Sequence, residues 1–397
     1  MVRHWSLLLA MSFGAALAHI ATTGMPLQVG ALMDGTARTP SQAGLFAFIE
    51  VASLSIGMIL ISVLVTRIAP LRVAIAGSLL AALADLSLFV ARGFPLQLVL
   101  GGFAGLGFGL AYSATIAAGA SSEDADRTYA IGFGGSLLLV MLIMAILPFT
   151  SVRLGFLGVF ACMSGFSLLC APIFLGFKGV TTQKPTRSQP AARSAVWRTP
   201  GAAGLLFSWA AFSTGTAAVY VFAERVARNI PLVPADIGLI LSSGVFVGVV
   251  GTGLAALLSQ RLSRRIALLS GLAGSALACF LIGHATTLVL FAAGIYLYWI
   301  FTMFLYCYLL GTAAVLDKSG RLGTLGSGTE RFGYAIGAWT GGVLAQHVSY
   351  ASTGTFGCAA CLAGIIIGYP TLFRALTQRS LLEIAGLKQV ISCDDCA

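Results

Sequence analysis

Long apolar runs separated by short polar loops fill most of the chain. A helix needs about 20 residues to cross the hydrocarbon core of a bilayer, and twelve runs of suitable length can be drawn. The strict apolar–polar alternation of a membrane β-strand is absent from the sequence, so the pattern predicts helices. The predicted spans are residues 5–33, 43–67, 73–91, 95–118, 129–150, 154–177, 201–224, 237–259, 266–283, 287–315, 322–346 and 351–374.

The loops between these runs differ in charge. An even number of spans puts both ends of the chain on one side. If that side is the cytoplasm, 17 of the 23 Lys and Arg residues lie inside, five lie outside, and Arg331 lies within a span. This is the asymmetry of the positive-inside rule. We therefore expect both termini in the cytoplasm, and a bacterial inner membrane as the location.

Composition supports the membrane assignment. Of the 397 residues, 58% are hydrophobic and only 9% are charged, too few charges for an ordinary water-exposed surface. The net charge of +10 is accounted for by the cytoplasmic loops, so it does not indicate a nucleic-acid partner. The sequence predicts an all-α integral membrane protein.

The second half of the chain repeats the first at an offset of 194 residues. Residues 62–77 (SVLVTRIAPLRVAIAG) recur in outline as residues 256–271 (ALLSQRLSRRIALLSG), each with a short basic loop between two apolar runs. The same offset pairs Gly44 with Gly238, Arg127 with Arg321, Gly132 with Gly326 and Gly134 with Gly328. A tandem duplication of this kind predicts two similar bundles with the functional centre between them.

The repeat also predicts the domain boundaries. Residues 1–177 form the first six-helix bundle and residues 201–376 the second. The intervening residues 178–200 are polar, basic and rich in proline, which is typical of a flexible cytoplasmic linker. Residues 377–397 are a cytoplasmic tail that contains a short amphipathic segment.

Two six-helix halves, a basic central linker and repeated basic loops resemble the major facilitator superfamily of secondary transporters over about residues 1–376. The superfamily's loop signature has the form G-x-x-x-D-R-x-G-R-R, and it follows the second and eighth spans. The first copy here keeps only its first Arg, while the second copy keeps its basic positions but replaces Asp by Gln and Gly by Ser. The resemblance implies cytoplasmic gating loops that contain Arg67 in the first copy and Arg261, Arg264 and Arg265 in the second.

The sequence departs from the superfamily's pattern in two places. Gly105, Gly107 and Gly109 in the fourth span keep the superfamily's glycine spacing, but Gly101 lies where many members carry a membrane-embedded Arg. The fifth span lacks the Gly-Pro pair that is typical of drug and proton antiporters. The proton relay of that Arg therefore does not transfer to this chain, and the drug-export branch is disfavoured.

Ionisable side chains at membrane depth are costly and usually face a cavity or a partner. None of those in this chain has an ionisable equivalent one repeat away, so each was added to the duplicated scaffold separately. They are His19, Glu50, Asp85, Glu224, Glu330 and Arg331.

Three of these residues are candidates for proton coupling. Glu50 is the leading one, because desolvation disfavours the charged carboxylate and favours uptake of a proton; the alternative is a structural carboxyl capped by Ser53 or Ser55. His19 titrates near neutral pH, although a hydrogen-bonded structural histidine fits equally well. Asp85 ranks below both because its span is usually peripheral in the superfamily.

Arg331, the adjacent Glu330 and several aromatic residues are candidates for solute binding. The planar guanidinium of Arg331 can hold a carboxylate, and the alternative is a local ion pair with Glu330 or with an acidic side chain on the next helix. Trp209, Tyr298 and Trp299 offer aromatic faces for a partly apolar solute, although aromatic residues on these spans must also face lipid or other helices.

Other classes of function are disfavoured. The chain has no phosphate-binding P-loop and no convincing set of nucleophile, base and orienting acid, so we expect neither a pump nor an enzyme, and no cofactor. The Cys358/Cys361 and Cys393/Cys396 pairs lack the further ligands of a metal site.

The sequence therefore predicts an alternating-access transporter of a small organic solute, driven by protons or another coupling ion. Two directions stay open. These are export of drug or siderophore-like compounds and uptake of an organic acid. A membrane sensor or enzyme is the remote alternative.

Overall fold

The computed structural model describes residues 2–64, 69–120, 122, 125–180, 199–230, 234–259, 261–317, 321–375 and 377. All regular elements in these residues are helices. The first half contains α1 (Val2–Thr23), α2 (Met25–Thr36), α3 (Pro40–Leu64), α4 (Pro70–Ser87), α5 (Phe94–Ala120), α6 (Ala125–Leu154) and α7 (Phe156–Ile173), followed by one 3₁₀ turn (Phe174–Phe177).

The second half repeats this arrangement. It contains α8 (Ala202–Tyr220), α9 (Ala223–Arg228), α10 (Pro234–Leu258), α11 (Arg264–Gly283), α12 (Leu288–Leu316), α13 (Arg321–His347) and α14 (Tyr350–Ala363), which continues through a π-helical turn (Gly364–Gly368). The predicted linker and tail fall largely on residues 181–198 and 378–397, which lie outside the described residues.

Eleven of the described helices are long and apolar enough to cross a membrane. The helix α13 falls short in apolarity because it carries Glu330, Arg331 and many small residues, yet it packs against α3 and α8 within the bundle. Including α13, the prediction of twelve helices in two pseudo-symmetric halves is confirmed.

The first predicted span is broken near its outer third. Gly24 separates α1 from α2, and Pro26 at the start of α2 cannot donate a helical hydrogen bond. The Gly24 amide still donates to the Ile20 carbonyl at 2.8 Å, so the two helices follow one another with a kink rather than a gap. The seventh predicted span is likewise shorter than expected, because α8 ends at Tyr220 and α9 follows as a separate turn.

Small residues bring the helices of the first half into close contact. A Cβ atom on Gly105 of α5 would lie 1.9 Å from the Glu50 carbonyl oxygen of α3, and one on Gly107 would lie 2.5 Å from the Gly77 carbonyl of α4. The helix α5 therefore lies between α3 and α4 with backbone against backbone, as is typical of membrane helix pairs.

The two halves meet through a pair of contacts related by the repeat. A Cβ atom on Gly44 of α3 would lie 2.6 Å from the Ala338 carbonyl of α13 and 3.0 Å from the Gly342 Cα. A Cβ atom on Gly238 of α10 would lie 2.0 Å from the Pro148 ring of α6. The 194-residue offset of the repeat relates Gly44 to Gly238 and Pro148 to Gly342. One contact is therefore the pseudo-symmetric copy of the other.

Both contacts lie towards the same end of the molecule. We call this end the distal face; it contains Asp34 and Pro40, whereas the terminal face contains Trp5 and Ala202. On the terminal half of the same helices, Cβ atoms on Gly134 of α6 and Gly328 of α13 would have no neighbour within 4 Å. The halves are therefore tightly joined at the distal face and more loosely packed towards the terminal face.

We expect Gly105→Ala to destabilise the protein, because the added methyl group would force α5 away from α3. Overpacking of this kind costs about 1–3 kcal/mol, and thermal unfolding of the purified protein would measure it. Gly134→Ala is the matched control: it adds the same methyl group in open space and should not lower the melting temperature. Equal melting temperatures of the two variants would contradict the packing described here.

Candidate functional site

A cavity of about 520 Å³ lies between the two halves at mid-bundle and extends towards the terminal face. Both halves supply its wall, mainly through α1 and α6 on one side and α8, α12 and α13 on the other. Its lining residues are His19, Thr22, Thr23, Tyr112, Phe133, Leu137, Val140, Phe212, Ser213, Thr216, Tyr220, Val245, Tyr298, Trp299, Thr302, Met303, Tyr306, Leu310, Glu330, Arg331 and Tyr334. The volume is that of a pocket for a small organic molecule.

Arg331 and Glu330 are the charged side chains of the cavity wall. The Arg331 Nε lies 3.7 Å from a Glu330 carboxylate oxygen, which is an ion pair without a hydrogen bond. Among the described residues, the hydrogen-bond partner of the Arg331 guanidinium is the Thr22 hydroxyl, at a long 3.4 Å. Most of the five N–H donors of this side chain are therefore available to a bound molecule.

His19 faces the same cavity from the opposite half. Its Nδ1 lies 3.4 Å from the Ser136 hydroxyl, and its ring lies 5.8 Å from the Tyr112 ring and 6.2 Å from the Phe133 ring, measured between centroids. The histidine is thus held by one polar and two aromatic neighbours and is close enough to Arg331 to interact with its charge. The charged and titratable candidates of α1 and α13 meet in one space.

Three buried aromatic residues form a cluster at the distal end of the cavity, which we call the aromatic roof: Tyr220, Tyr298 and Trp299. The Tyr220 and Tyr298 rings stack at 4.7 Å with an interplanar angle of 11°, and Trp299 stands at 89° to Tyr220. The Tyr220 hydroxyl donates to the Thr23 carbonyl at 3.0 Å, which joins the roof to the other half. The roof therefore closes the cavity with aromatic surface.

Three other predicted residues lie elsewhere. Trp209 is fully buried beneath Gly326 and packs edge-on against Tyr306, so it is not part of the lining. Glu50 and Asp85 are both 1% exposed and lie within the first half, behind the cavity wall. The sequence could not show whether these residues line the cavity or lie inside a helical half, because the helices that carry them are apolar on all sides.

Two of the three basic residues of the second gating loop have partners within the second half. Arg264 donates to the Gly311 carbonyl at the end of α12 at 2.6 Å, and the Arg265 guanidinium lies 4.5 Å from the Phe373 ring centroid. Arg261 is exposed. Arg67 of the first loop lies outside the described residues, so the sequence prediction for it stands as a prediction.

A cluster of four charged side chains joins the two halves at the distal face, and we call it the distal lock. Arg225 and Arg228 of α9 each place a guanidinium nitrogen 2.7 Å from a separate carboxylate oxygen of Asp34 in α2. Glu224 pairs with both arginines, and Arg225 also donates to the Gly30 carbonyl. The lock holds the ends of α2 and α9 together.

Sequence reasoning did not identify the distal lock as a unit. Asp34 was not singled out, and Arg225 and Arg228 were counted only as charges on an outer loop. One signal was nevertheless present: Asp34 and Arg228 are related by the 194-residue offset. Residues at equivalent positions of two pseudo-symmetric halves can meet across the symmetry axis, and here they carry opposite charges.

The ionisation of the lock follows from its contacts. Burial tends to raise the pKa of Asp34, but hydrogen bonds and charges from Arg225 and Arg228 outweigh burial and hold that pKa below its usual value. Burial raises the pKa of Glu224, although both arginines oppose this effect. When the pH falls, Glu224 therefore takes up a proton before Asp34 does.

A metal ion has no evident place in the described part of the chain, which contains no group of three or more His, Cys, Asp or Glu side chains. The six described cysteines are unpaired. Cys393 and Cys396 lie in the tail beyond the described residues.

Comparison with known proteins gives one family. The sequence profile of the Major Facilitator Superfamily matches residues 8–327. No curated protein matches the chain by sequence.

Several solved structures share the fold. A point mutant of the nucleoside transporter NupG matches with a TM-score of 0.77 at 8% identity, over 93% of this chain and 99% of that chain. A D-xylose-proton symporter matches with a TM-score of 0.72 at 13% identity, over 91% and 97%. A bacterial homologue of the human lysosomal transporter Spinster, inward-facing and occupied, matches with a TM-score of 0.70 at 13% identity, over 93% and 96%.

Removing the Asp34 carboxylate from the distal lock should increase the fraction of molecules in which the distal face is open. For Asp34→Asn we expect the ratio of closed to open molecules to fall about fivefold, which corresponds to roughly 1 kcal/mol for a partly exposed ion-pair network. The rate of cross-linking between cysteines placed at positions 41 and 346, in a background without other cysteines, would report this change. In the closed state described here, the Ser41 amide donates to the Gln346 side chain at 3.1 Å.

Asp236→Asn is the matched control for this experiment, because Asp236 is an exposed carboxylate at the start of α10 that forms no ion pair with the described residues. It should leave the cross-linking rate unchanged. An unchanged rate in Asp34→Asn as well would show that the lock does not hold the face closed.

The depressed pKa of Asp34 also predicts how the lock responds to acid. A carboxylate with a lowered pKa in the folded state contributes stability at higher pH and loses it only as the pH falls through that lowered value. We therefore expect the difference in closed population between the natural protein and Asp34→Asn to persist down to the usual range of Asp and to vanish only below it, whereas protonation of Glu224 affects both proteins at higher pH. Because thiol reactivity itself depends on pH, the distance between spin labels at positions 41 and 346 is the measurement here. A difference that vanished near neutral pH would contradict this order.

Proposed function

Because the chain belongs to the Major Facilitator Superfamily and is a multi-pass membrane transporter of small solutes rather than an enzyme, we propose that it carries an organic acid or amino acid with an aromatic ring. The solute carboxylate binds Arg331 in the central cavity. The observation that supports this proposal most directly is the guanidinium of Arg331, which faces an aromatic-lined space with most of its donors unused.

The lining supports an aromatic or otherwise flat apolar part of the solute. Eight aromatic side chains line the cavity: Tyr112, Phe133, Phe212, Tyr220, Tyr298, Trp299, Tyr306 and Tyr334. Aromatic faces and edges stabilise a bound ring, and Tyr hydroxyls can satisfy its polar substituents. Thr302 adds a buried hydroxyl that lacks a hydrogen-bond partner among the described residues.

Glu330 restricts the charge of the solute. Its carboxylate is close to the Arg331 guanidinium, so a simple carboxylate bound to Arg331 would be repelled by Glu330 unless Glu330 carried a proton. A zwitterion avoids this repulsion, because its ammonium group pairs with Glu330 while its carboxylate pairs with Arg331. The cavity therefore favours a solute that is neutral overall, or an anion bound together with a proton.

Transport proceeds by alternating access. The two halves rock around the central cavity, with the distal lock closed in the state described here and open in the other state. With the termini in the cytoplasm, as the positive-inside rule indicates, the cavity of this state faces inward. The loop residues Arg261, Arg264 and Arg265 belong to the face that closes when the distal lock opens.

The energy comes from an ion gradient, with protons as the first candidate. His19 and Glu330 are both in the cavity and can exchange a proton with the solute site, whereas Glu50 and Asp85 are behind it. Uptake of an organic acid fits the basic side chain in the cavity better than export of a bulky product does, and vesicles of both orientations would test the direction.

Substitutions at the charged pair test the solute class. We expect Arg331→Ala to weaken counterflow of aromatic acids and aromatic amino acids by about 10- to 100-fold, since a charge-assisted hydrogen bond contributes about 1.5–3 kcal/mol. Arg331→Lys should be only partly defective, because lysine keeps the charge but loses the planar fork. Binding or radiolabelled counterflow in proteoliposomes would measure both.

Glu330→Gln provides the opposite test. It should weaken transport of aromatic amino acids and strengthen transport of aromatic carboxylates, because it removes the partner of an ammonium and the repulsion of an anion. Ring compounds with an uncharged amide or alcohol in place of the carboxylate serve as the solute control, and Arg331→Ala should change their transport little. If Arg331→Ala left carboxylates and uncharged analogues equally well transported, the proposed role of Arg331 would be wrong.

A further inference from the structure

The break in the first span frees backbone carbonyls that the helix itself does not satisfy. In an unbroken helix each carbonyl accepts from the amide four residues later. The Thr22 carbonyl would need the amide of residue 26, but Pro26 has no N–H. The Leu27 amide donates to the Gly24 carbonyl at 3.0 Å, so it is drawn away from the Thr23 carbonyl. A carbonyl without a donor is costly at membrane depth, so each of these two needs a partner from elsewhere.

Two tyrosines of the second half supply the missing donors. The Tyr334 hydroxyl of α13 donates to the Thr22 carbonyl at 2.8 Å, and the Tyr220 hydroxyl of α8 donates to the Thr23 carbonyl at 3.0 Å. Both tyrosine side chains are buried, and both line the cavity. The backbone of one half is thus capped by hydroxyl groups of the other. We call this arrangement the capped break; it consists of Thr22, Thr23, Pro26, Tyr220 and Tyr334.

The 194-residue repeat shows which part of the capped break is specific. Tyr220 is the equivalent of Pro26, and it lies where the seventh span is itself interrupted, between α8 and α9. The equivalent of Tyr334 is Val140, which lines the cavity from the other half without a hydroxyl group. The cap that Tyr334 provides is therefore not part of the duplicated scaffold, which argues that it serves the solute site.

Thr22 connects the capped break to Arg331. The Thr22 hydroxyl donates to the His19 carbonyl at 3.1 Å and accepts from an Arg331 guanidinium nitrogen at 3.4 Å. A hydroxyl has a single proton, so its donation to His19 turns a lone pair towards Arg331. The place of this oxygen depends on the Thr22 backbone, which Tyr334 holds by the carbonyl. Three hydrogen bonds in series thus join Tyr334 to the guanidinium.

We propose that Tyr334 is a positioning residue of the solute site and acts through Thr22. By capping the Thr22 carbonyl it holds the hydroxyl that orients Arg331 towards the carboxylate of the solute, and Tyr220 supports the same break at the next carbonyl. An oriented guanidinium binds more tightly, because less side-chain freedom is lost when the solute arrives. The orienting step rests on the proposed function of Arg331, whereas the cap itself does not.

Thermal unfolding of the purified full chain tests the cap without any transport. Tyr334→Phe keeps the ring but leaves the Thr22 carbonyl without its donor, so it should lower the melting temperature by about 2 °C or more. Pro26→Ala restores a backbone N–H that can donate to the same carbonyl. In the Pro26→Ala background, Tyr334→Phe should therefore lower the melting temperature clearly less. An equal loss in both backgrounds would overturn the cap.

Two other variants serve as controls for this cycle. Tyr296→Phe removes a hydroxyl that lies 3.0 Å from the Ser243 hydroxyl and is not part of the cavity lining, so its effect should be the same in both backgrounds. Tyr220→Phe should be milder than Tyr334→Phe, because the Leu27 amide can return to the Thr23 carbonyl. Should Pro26→Ala fail to fold, this order decides instead, and a Tyr220→Phe loss as large as that of Tyr334→Phe would overturn the cap.

Solute binding tests whether the cap acts through Arg331. Tyr334→Phe should weaken binding of aromatic carboxylates to the purified protein about 2- to 10-fold, and Pro26→Ala should restore most of this loss. Uncharged amide or alcohol analogues should bind Tyr334→Phe as they bind the natural protein. An equal loss for both kinds of solute would overturn the positioning role. So would a loss that Pro26→Ala leaves unrestored, which is the result expected if the Tyr334 hydroxyl contacted the solute directly.

Failure of the proposed function gives a different result. If Arg331→Ala left carboxylates and uncharged analogues equally well bound, Arg331 would not be the solute's partner, and the orienting step would fall with it. The melting temperatures of the Tyr334→Phe and Pro26→Ala variants would still decide whether the cap exists.

Discussion

The close approach of the two halves at the distal face is the contact on which the rest of the structure depends. It is made twice, by Gly44 against Gly342 and by Gly238 against Pro148, and the offset of the duplication relates the two contacts. Backbone can meet backbone there because the side chains are small. With the halves joined at this end, the space between them is confined to mid-bundle and the terminal half, where the cavity lies.

The charged side chains of the protein differ in how completely they are paired. At the distal face, the carboxylate of Asp34 is fully paired by Arg225 and Arg228, and its pKa falls accordingly. At the cavity wall, Arg331 and Glu330 are only loosely paired. Inside the first half, both carboxylate oxygens of Glu50 and Oδ2 of Asp85 accept no hydrogen bond from the described residues. Pairing thus decreases from the lock to the interior.

The duplication explains which parts of the molecule are general and which are specific. Inter-half contacts and glycine packing recur in both repeats, so they belong to the duplicated scaffold of this chain. Its fold is shared by solved transporters at identities of 8–13%. The ionisable groups inside the bundle occur in one repeat only. A shared scaffold with unshared charges fits a family in which helix packing is retained while the solute and the coupling ion differ.

The sequence by itself determined the number of spans, the repeat and the short set of ionisable residues at membrane depth, because the bilayer imposes length and polarity on each helix separately. It also brought His19, Arg331 and Tyr298 forward as candidates for one cavity. Only the tertiary structure decided that Trp209 packs away from that cavity, that Asp34 meets Arg228 across the halves, and that Glu50 and Asp85 are buried within the first half. These facts depend on how each helix is rotated about its axis. A helix that is apolar on every side carries no signal of that rotation, so packing against its neighbours sets it.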